Sequence, residues 1–391
     1  MKPVPPYLRV KFGEEVWHDE PYDQSPADFF DRDEPKKQAL AILHSPETRR
    51  AIWLFGERRS GKTSMLKLLI DKFKEQEGYL AIEVPWQSIH SSDDFYKEYL
   101  YQLDNALDPK SILPVNPGLS FWDALRERQE KIGQRTLVVG IDEIDSIIIE
   151  KVDENSRGEI LGCILRLVTQ EPNIKVILTS VRSSSEIEHF KASPLVSKSL
   201  PIIIPFFSTK DIENLIRSLA INISEVEIEQ IRNLSGGWPY YAKSILVHLL
   251  QFPETEPQRL GYARIKAVKD ISQQTCGHLY DHHWDKNDRR VLWLLANKEQ
   301  INLEEFNQLD APLRTALREL TERGYVIEEN GQYRFRVVLI ADWFKSWSRR
   351  DIEEDKLEIP LLLKRLINSW AIEPGEQVIE ITKEDLRHRG F

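Results

Sequence analysis

A chain of 391 residues, 41% hydrophobic and 30% charged, has the composition of a folded protein and more length than one compact core usually holds. Its formal charge of −10 opposes tight non-specific binding to phosphate backbones, although it leaves room for a local basic face. Two distant cysteines, Cys163 and Cys276, without clustered His or Cys, give neither a disulfide framework nor a zinc site. With no signal-peptide pattern and no apolar run of about 18 residues, the expected setting is cytoplasmic and away from a membrane.

Residues 1–27, rich in Pro, Asp and Tyr, read as an extended arm. A helical pattern over 34–43 precedes Ala51-Ile52-Trp53-Leu54-Phe55, a short apolar run that ends at Gly56 and reads as a buried strand. An amphipathic helix is predicted over 60–74. Strands follow at 80–84, 136–141, 175–179 and 200–204, separated by helical stretches near 93–107, 121–132 and 157–169. Apolar strands joined by helices predict a doubly wound α/β domain with a parallel sheet over 28–205. Residues 206–253 read as helices only, broken at Gly236-Gly237-Trp238-Pro239, and are expected to form a helical lid. Over 254–350, helices near 259–280, 286–297, 302–308 and 311–323 lead to two short strands, 325–328 and 333–336, across Asn330-Gly331. Helices followed by a hairpin predict a winged helix-turn-helix. Residues 351–391 form a small acidic extension.

The strongest chemical signal is Gly56-Glu57-Arg58-Arg59-Ser60-Gly61-Lys62-Thr63, which matches G-x-x-x-x-G-K-[ST] between a strand and a helix. Such a loop turns its amides on a β-phosphate, its lysine toward the β- and γ-phosphates, and its threonine hydroxyl toward Mg2+. Gly56, Arg59, Ser60, Gly61, Lys62, Thr63 and Ser64 are the expected cofactor contacts, with the helix dipole behind them. The second signal is a strand ending in Asp142-Glu143. Asp142 would hold Mg2+ with Thr63, while Glu143 would polarise the attacking water, so Glu143 and Lys62 are the catalytic candidates. The third is Leu178-Thr179-Ser180-Val181-Arg182, where Thr179, Ser180 and Arg182 are candidates to sense a γ-phosphate or simply cap the strand. Arg58 and Arg59 read as phosphate contacts or as solvated loop arginines.

The P-loop with the Ser64-Met65-Leu66 that follows it, Ile141-Asp142-Glu143-Ile144-Asp145, and Ser235-Gly236-Gly237-Trp238-Pro239, in that order, resemble the STAND-type ATPases. These are AAA+-related switch ATPases, and the resemblance is to their archaeal-ATPase-like and AAA-like branch over roughly residues 28–350. It implies ATP or ADP with Mg2+ and slow, regulatory hydrolysis. A guanine-reading Asn/Thr-Lys-x-Asp motif is absent, which agrees with ATP. It also implies that Pro239 lies against the adenine, with Trp238 nearby, and that a winged-helix residue such as Arg336 contacts the diphosphate. Phe30-Asp31-Arg32-Asp33-Glu34 resembles the family's hydrophobic-Gly-Arg-x-x-Glu element, with Asp31 where Gly is usual. Larger relatives fuse an effector and a repeat sensor to this core. Neither is legible here, so separate protein partners or effectors are expected, with self-oligomerisation open. Prokaryotic signalling or antiviral defence is the setting the resemblance suggests.

Two other readings stand beside the switch. Arg314, Arg318 and Arg323 fall near one face of the 311–323 helix, which could meet DNA as in initiator-like or transposition-related AAA+ loaders. Basic and acidic residues are nearly balanced over 254–350, and Glu319 and Glu322 share that helix, so DNA is not favoured. The other reading is a nucleotide-binding scaffold with little turnover. The late aromatics Trp284, Trp293, Trp343, Phe344, Trp347 and Trp370 read as core packing or as a partner-docking surface.

Overall fold

The computed structural model describes residues 32–110, 119–181, 194–218, 223–253 and 258–345. The arm at 1–27 and the extension at 351–391 lie outside the described residues, as do Arg182, Trp347 and Trp370. What is described falls into two compact units that divide between Phe206 and Phe207.

In the first unit, α1 (Asp33–His44) leads into β1 (Ala51–Phe55), whose five residues are all buried. Then come α2 (Lys62–Lys74), β2 (Tyr79–Val84), α3 (Ser92–Leu107), α4 (Phe121–Ile132) and β3 (Thr136–Ile141). A π-helical turn, Ser146–Lys151, precedes α5 (Glu154–Gln170), β4 (Ile174–Ser180), the short α6 (Pro194–Ser197) and β5 (Ser199–Ile203). The sheet has the order β2-β3-β4-β1-β5, and every pairing is parallel. Alternate residues of β1 serve opposite faces. Ile52 and Leu54 pack with Met65, Leu66 and Leu69 of α2, while Trp53 and Phe55 join the core formed with α3, α4 and α5. Burial on both faces is why β1 and residues 137–141 of β3 read as unbroken apolar runs, whereas β4 also buries Lys175, Thr179 and Ser180. Gly140 lets α2 sit close on the sheet, since a Cβ there would come within 2.8 Å of a Leu66 methyl.

The second unit begins with α7 (Thr209–Ser218), α8 (Glu225–Ser235), α9 (Pro239–Leu249) and α10 (Arg259–Ile271). Ser224 and Glu227 close a capping box at the start of α8. Gly236 ends α8 at φ 59°, Gly237 follows at φ 81°, and Pro239 opens α9 at its first position, so the Gly-Gly-Trp-Pro run is one helix stop and one helix start. The helix predicted to run unbroken to residue 280 instead carries a π-helical turn, Ser272–Cys276, before α11 (Gly277–His282). Then α12 (Lys286–Lys298), β6 (Gln300–Asn302), α13 (Leu303–Gln308), α14 (Ala311–Glu322), β7 (Val326–Glu329), β8 (Gln332–Phe335) and α15 (Val338–Lys345) complete the unit. The three strands form an antiparallel sheet in the order β6-β8-β7. β7 and β8 turn on Asn330 at φ 54° and Gly331 at φ 75°, the backbone that a two-residue type I′ hairpin needs. Trp284, Trp343 and Phe344 are buried against one another, which is the core-packing alternative for these aromatics.

The arginine face on α14 is largely committed within the chain. Arg314 donates to the carbonyls of Asn307 and Leu309. Arg323 pairs with Asp288 at 3.3 Å. Arg318 is exposed over Phe306, but Glu319 and Glu322 are exposed on the same helix. That face offers DNA one arginine among two glutamates.

Asp288, the third residue of α12, is buried beside Arg323, and loss of hydration, only partly offset by that guanidinium, pushes its pKa up to about 6. A raised carboxylate keeps its proton longer in the folded chain than in the unfolded one. Its contribution to stability is therefore lost as pH rises from about 4 to about 6. A rise of this size is worth up to about 3 kcal/mol. The Asp288→Asn variant should accordingly gain about 1–2 kcal/mol relative to the parent between pH 5 and pH 8 in urea denaturation, by the same linkage. A difference that does not change with pH would show that Asp288 ionises normally.

Candidate functional site

The strand order decides which side chains meet. β4 lies between β1 and β3, so its end sits between the P-loop that leaves β1 and the acidic pair that leaves β3. Phe55 is level with Ser180, and Ile141 with Leu178. A crevice at the carboxyl ends of parallel strands is where such sheets bind ligands.

From Phe55 the chain turns into the loop 56–61. Gly56 has no room for a side chain, because a Cβ would approach the Ser60 hydroxyl within 2.6 Å and the Ile204 carbonyl within 3.1 Å. Arg59 stands at φ 65° and Gly61 at φ 100°, two left-handed residues that curl the loop back on the helix. Gly61 caps α2 without any side-chain acceptor, so the first-turn amides of a 13-residue helix are left for an anion. Lys62 is 6% exposed, and its ammonium donates to the Glu57 carbonyl at 3.0 Å. Two of its three protons meet no acceptor among the described residues. Burial pulls the Lys62 pKa below its ordinary value, against the opposing pull of Asp145, Asp142, Glu57 and Glu143. The Ser60 hydroxyl is wholly buried without a partner. A half-satisfied buried ammonium, an orphaned hydroxyl, uncapped helix amides and a side-chain-free turn together fit a phosphate chain.

The acidic side is laced to the loop. Thr63 donates from Oγ1 to Asp142 Oδ2 at 2.9 Å, the hydroxyl–carboxylate pair that a Mg2+ ion would find. The Thr179 hydroxyl donates to the other Asp142 oxygen and accepts from the Glu143 amide at 2.9 Å. Glu143 itself stands at φ 45°, a left-handed position for a non-glycine residue, and is held there by that bond. Burial, then the neighbouring Asp142, raise the pKa of the Glu143 carboxyl, making it the better proton acceptor.

Of the residues singled out from sequence, Gly56, Arg59, Ser60, Gly61, Lys62, Thr63, Ser64, Asp142, Glu143 and Thr179 share this one unit; hydrogen bonds join Thr63, Asp142, Thr179 and Glu143 into one chain, while Lys62 donates to the Glu57 carbonyl. Ser64 is half-buried on the first turn of α2. Arg182 lies outside the described residues. Pro239 and Arg336 belong to the second unit, where Gly236, three residues before Pro239, lies close to Arg336: a Cβ on Gly236 would come within 2.7 Å of the Arg336 carbonyl carbon. Arg32 is a residue that motif reading alone undervalues. It is 2% exposed, and its guanidinium donates to the Ser60 carbonyl at 2.8 Å, supporting the P-loop from outside. The Arg of the degenerate 30–34 element is the available signal, masked by Asp31 in place of Gly.

Among solved structures, a Walker-type ATPase of Pyrococcus abyssi matches 81% of this chain and 96% of its own at 19% identity, with a TM-score of 0.58, which supports the parallel-sheet P-loop fold. The ADP form of the ORC2 protein of Aeropyrum pernix covers 89% of this chain and 97% of its own at 16% identity and a TM-score of 0.48. A STAND protein with a tetratricopeptide repeat sensor from Pyrococcus horikoshii covers 85% of this chain and 44% of its own at 15% identity and a TM-score of 0.33. No curated protein matches the chain significantly. The model of an ATPase domain predominantly from Archaea matches residues 29–245, which include the loop, the acidic pair and the Gly-Gly-Trp-Pro turn. By that match, and by the G-x-x-x-x-G-K-T loop set between β1 and α2, the chain belongs to this archaeal-type ATPase family and is a P-loop ATPase.

Proposed function

We propose that the protein is a nucleotide-driven switch that binds ATP with Mg2+, hydrolyses it slowly and passes its nucleotide state to a partner through its C-terminal unit. The observation that carries the catalytic half is the chain of contacts from Thr63 through Asp142 and Thr179 to the backbone of Glu143. In this reading Lys62 and the loop amides bind the phosphates, with Gly56, Gly61 and Ser60 shaping the cradle and Arg59 and Ser64 at its rim. Thr63 and Asp142 would hold Mg2+, whose chemistry when bound is to neutralise charge on the β- and γ-oxygens. Glu143 accepts the proton of the attacking water. Thr179 aligns both acids and reports on the γ-phosphate.

The coupling half rests on the second unit. Trp238 is 1% exposed and packs on Tyr325, whose carbonyl accepts from the Arg336 amide at 2.9 Å. The turn that carries Pro239 is therefore seated on the hairpin, so a displacement of one moves the other. We read residues 206–253 as a lid and 254–350 as a winged helix; it is the family resemblance that would give Pro239 to the adenine and Arg336 to the diphosphate. Closed and open forms that hold the γ-phosphate differently would supply the differential binding a switch needs. Separate protein partners, or further copies of the chain, would receive the signal.

The test is the nucleotide content and ATP turnover of the purified protein, measured with and without duplex DNA. Retained ADP with slow turnover indifferent to DNA is the expected result. Strong stimulation by DNA would instead favour a loader, a reading that the committed arginines of α14 oppose. Failure to bind either nucleotide would overturn the proposal.

A further inference from the structure

The parallel sheet ends on β2, whose far side pairs with no strand among the described residues. The register fixes which of its backbone groups face outward. The Thr136 amide donates to the Gly78 carbonyl at 2.9 Å, so, with Tyr79 level with Thr136, the main-chain groups of residues 78, 80 and 82 serve β3. The carbonyls of Tyr79, Ala81 and Glu83 and the amides of Ala81 and Glu83 point the other way, and no hydrogen bond meets them among the described residues. The Tyr79 amide is taken by the Gln76 carbonyl at 3.2 Å. Although it lies on an edge, Ala81 is 2% exposed. These outward groups floor a groove of about 510 Å3, lined also by Lys74 at the end of α2 and by Gln102, Asn105 and Ala106 of α3. Buried main-chain groups without partners are costly, and an extended backbone is the ligand that satisfies a row of them at strand spacing.

The groove also selects what enters it. α2 and α3 pack on opposite faces of the sheet, so the edge lies recessed between them. A second sheet flanked by helices of its own cannot reach such an edge, whereas one extended segment can. Glu83 sets the charge of that segment. Its half-buried side chain lines the groove and makes no ion pair or hydrogen bond among the described residues. Lys74, which also lines the groove, is held by Asp71 at 3.2 Å. Burial raises the Glu83 carboxyl pKa above its ordinary value, ahead of the opposing pull of Lys67. On the other wall Asn105 presents an exposed side-chain amide, and Tyr101, 48% exposed one helical turn earlier, adds an aromatic face. We propose that the groove along β2 is a docking site for an extended segment of a partner protein, which adds to the five-stranded sheet as a further strand and places a lysine or arginine beside Glu83. This surface belongs to the ATPase unit itself, and the inference does not rest on the switch reading.

Random heptapeptides displayed on phage and panned on the full chain without nucleotide supply the probes; enriched sequences are then synthesised and titrated by fluorescence polarisation. They should alternate β-branched residues with a basic position. Glu83→Lys should weaken them by about 3–10-fold, the effect of exchanging an opposite-charge cross-strand pair for a like-charge one, and should restore analogues whose basic residue is replaced by glutamate. Asn105→Trp, which fills the groove from an exposed position, should abolish binding. With peptide at about ten times its Kd, the Ala81 and Glu83 amides of the parent should exchange with deuterium about tenfold more slowly, by mass action. A library that yields no enriched peptide, equal binding to both variants, or unslowed exchange at Ala81 and Glu83 would each overturn the inference. So would tighter binding to Glu83→Gln, which would make the carboxylate a guard against strand pairing. Self-association of the parent that Asn105→Trp abolishes would give the groove to a second copy and overturn the partner segment. Thermal unfolding and ATP affinity of the variants at the parent's values guard against misfolding. A chain that binds ATP but no peptide removes this inference alone; one that binds peptide but no ATP removes the switch reading alone.

Discussion

Replacing Glu143 by Gln should abolish most ATP turnover, by about 10²–10⁴-fold, while ATP binding survives within a few-fold. Gln keeps the size of the side chain and one acceptor oxygen but cannot take a proton at neutral pH. The backbone of Glu143 is fixed at φ 45° by the Thr179 hydroxyl, so the amide should occupy the place of the carboxylate. Burial holds the carboxyl pKa above its ordinary value, which suits a proton acceptor and is the property Gln removes. Lys62→Ala should fail differently. It deletes the buried ammonium that donates to the Glu57 carbonyl, and nucleotide affinity should fall by at least about tenfold, the cost of one charge-assisted contact. Turnover at saturating ATP together with calorimetric affinity separates the two. Turnover of Glu143→Gln within twofold of the parent would place the base elsewhere.

These roles differ in how far the sequence reveals them. Gly56–Thr63 and Asp142-Glu143 are legible because each couples a motif to a strand whose apolar run is complete. β1 and β3 run over the residues expected, since burial on both faces leaves no polar position to blur their ends. Thr179 is one candidate among three by sequence. What singles it out is the placing of β4 between β1 and β3, a property of strand order that no local pattern carries. Arg32 is hidden for a similar reason: its partner, the Ser60 carbonyl, is 28 residues away and is main chain, so no side-chain pairing signals it.

In the second unit the helices are legible from periodicity, and the hairpin from Asn330-Gly331. The short β6 leaves no sequence signal because three residues carry no alternation, and it exists only by pairing with β8. The helix α15 is equally hard to read because Leu339, Ile340, Ala341, Asp342, Trp343 and Phe344 are buried all round, leaving no polar face to set a period of 3.6. Asp342 is tolerated there because Arg264 of α10 meets it with two hydrogen bonds, at 2.7 and 2.8 Å. The arginines of α14 show the opposite error. Their helical spacing is plain in the sequence, but spacing cannot show that Arg314 and Arg323 turn back onto carbonyls and Asp288.

Gly236→Val should be the most damaging single change in the second unit, costing about 3–5 kcal/mol from two independent causes. The first is backbone strain. Gly236 stands at φ 59°, a region a β-branched residue enters only at a cost of about 1–3 kcal/mol. The second is steric. The new Cβ would fall within 2.7 Å of the Arg336 carbonyl carbon and 2.8 Å of its Cγ, and the first of these is main chain, which cannot rotate aside. Either α8 must end differently or the hairpin must lift from the turn. Gly261→Ala, in α10, where a Cβ meets nothing within 4 Å, is the matched control and should be neutral or stabilising by up to about 1 kcal/mol. Urea unfolding followed by tryptophan fluorescence reads the difference, because Trp238 and Trp284 both pack against Tyr325. If the turn relays nucleotide state to the hairpin, Gly236→Ala, the milder variant, should also change nucleotide affinity in a chain that remains folded at 25 °C. Retention of both stability and affinity would show that the close approach of Gly236 to Arg336 is incidental packing, and would leave the switch without its joint.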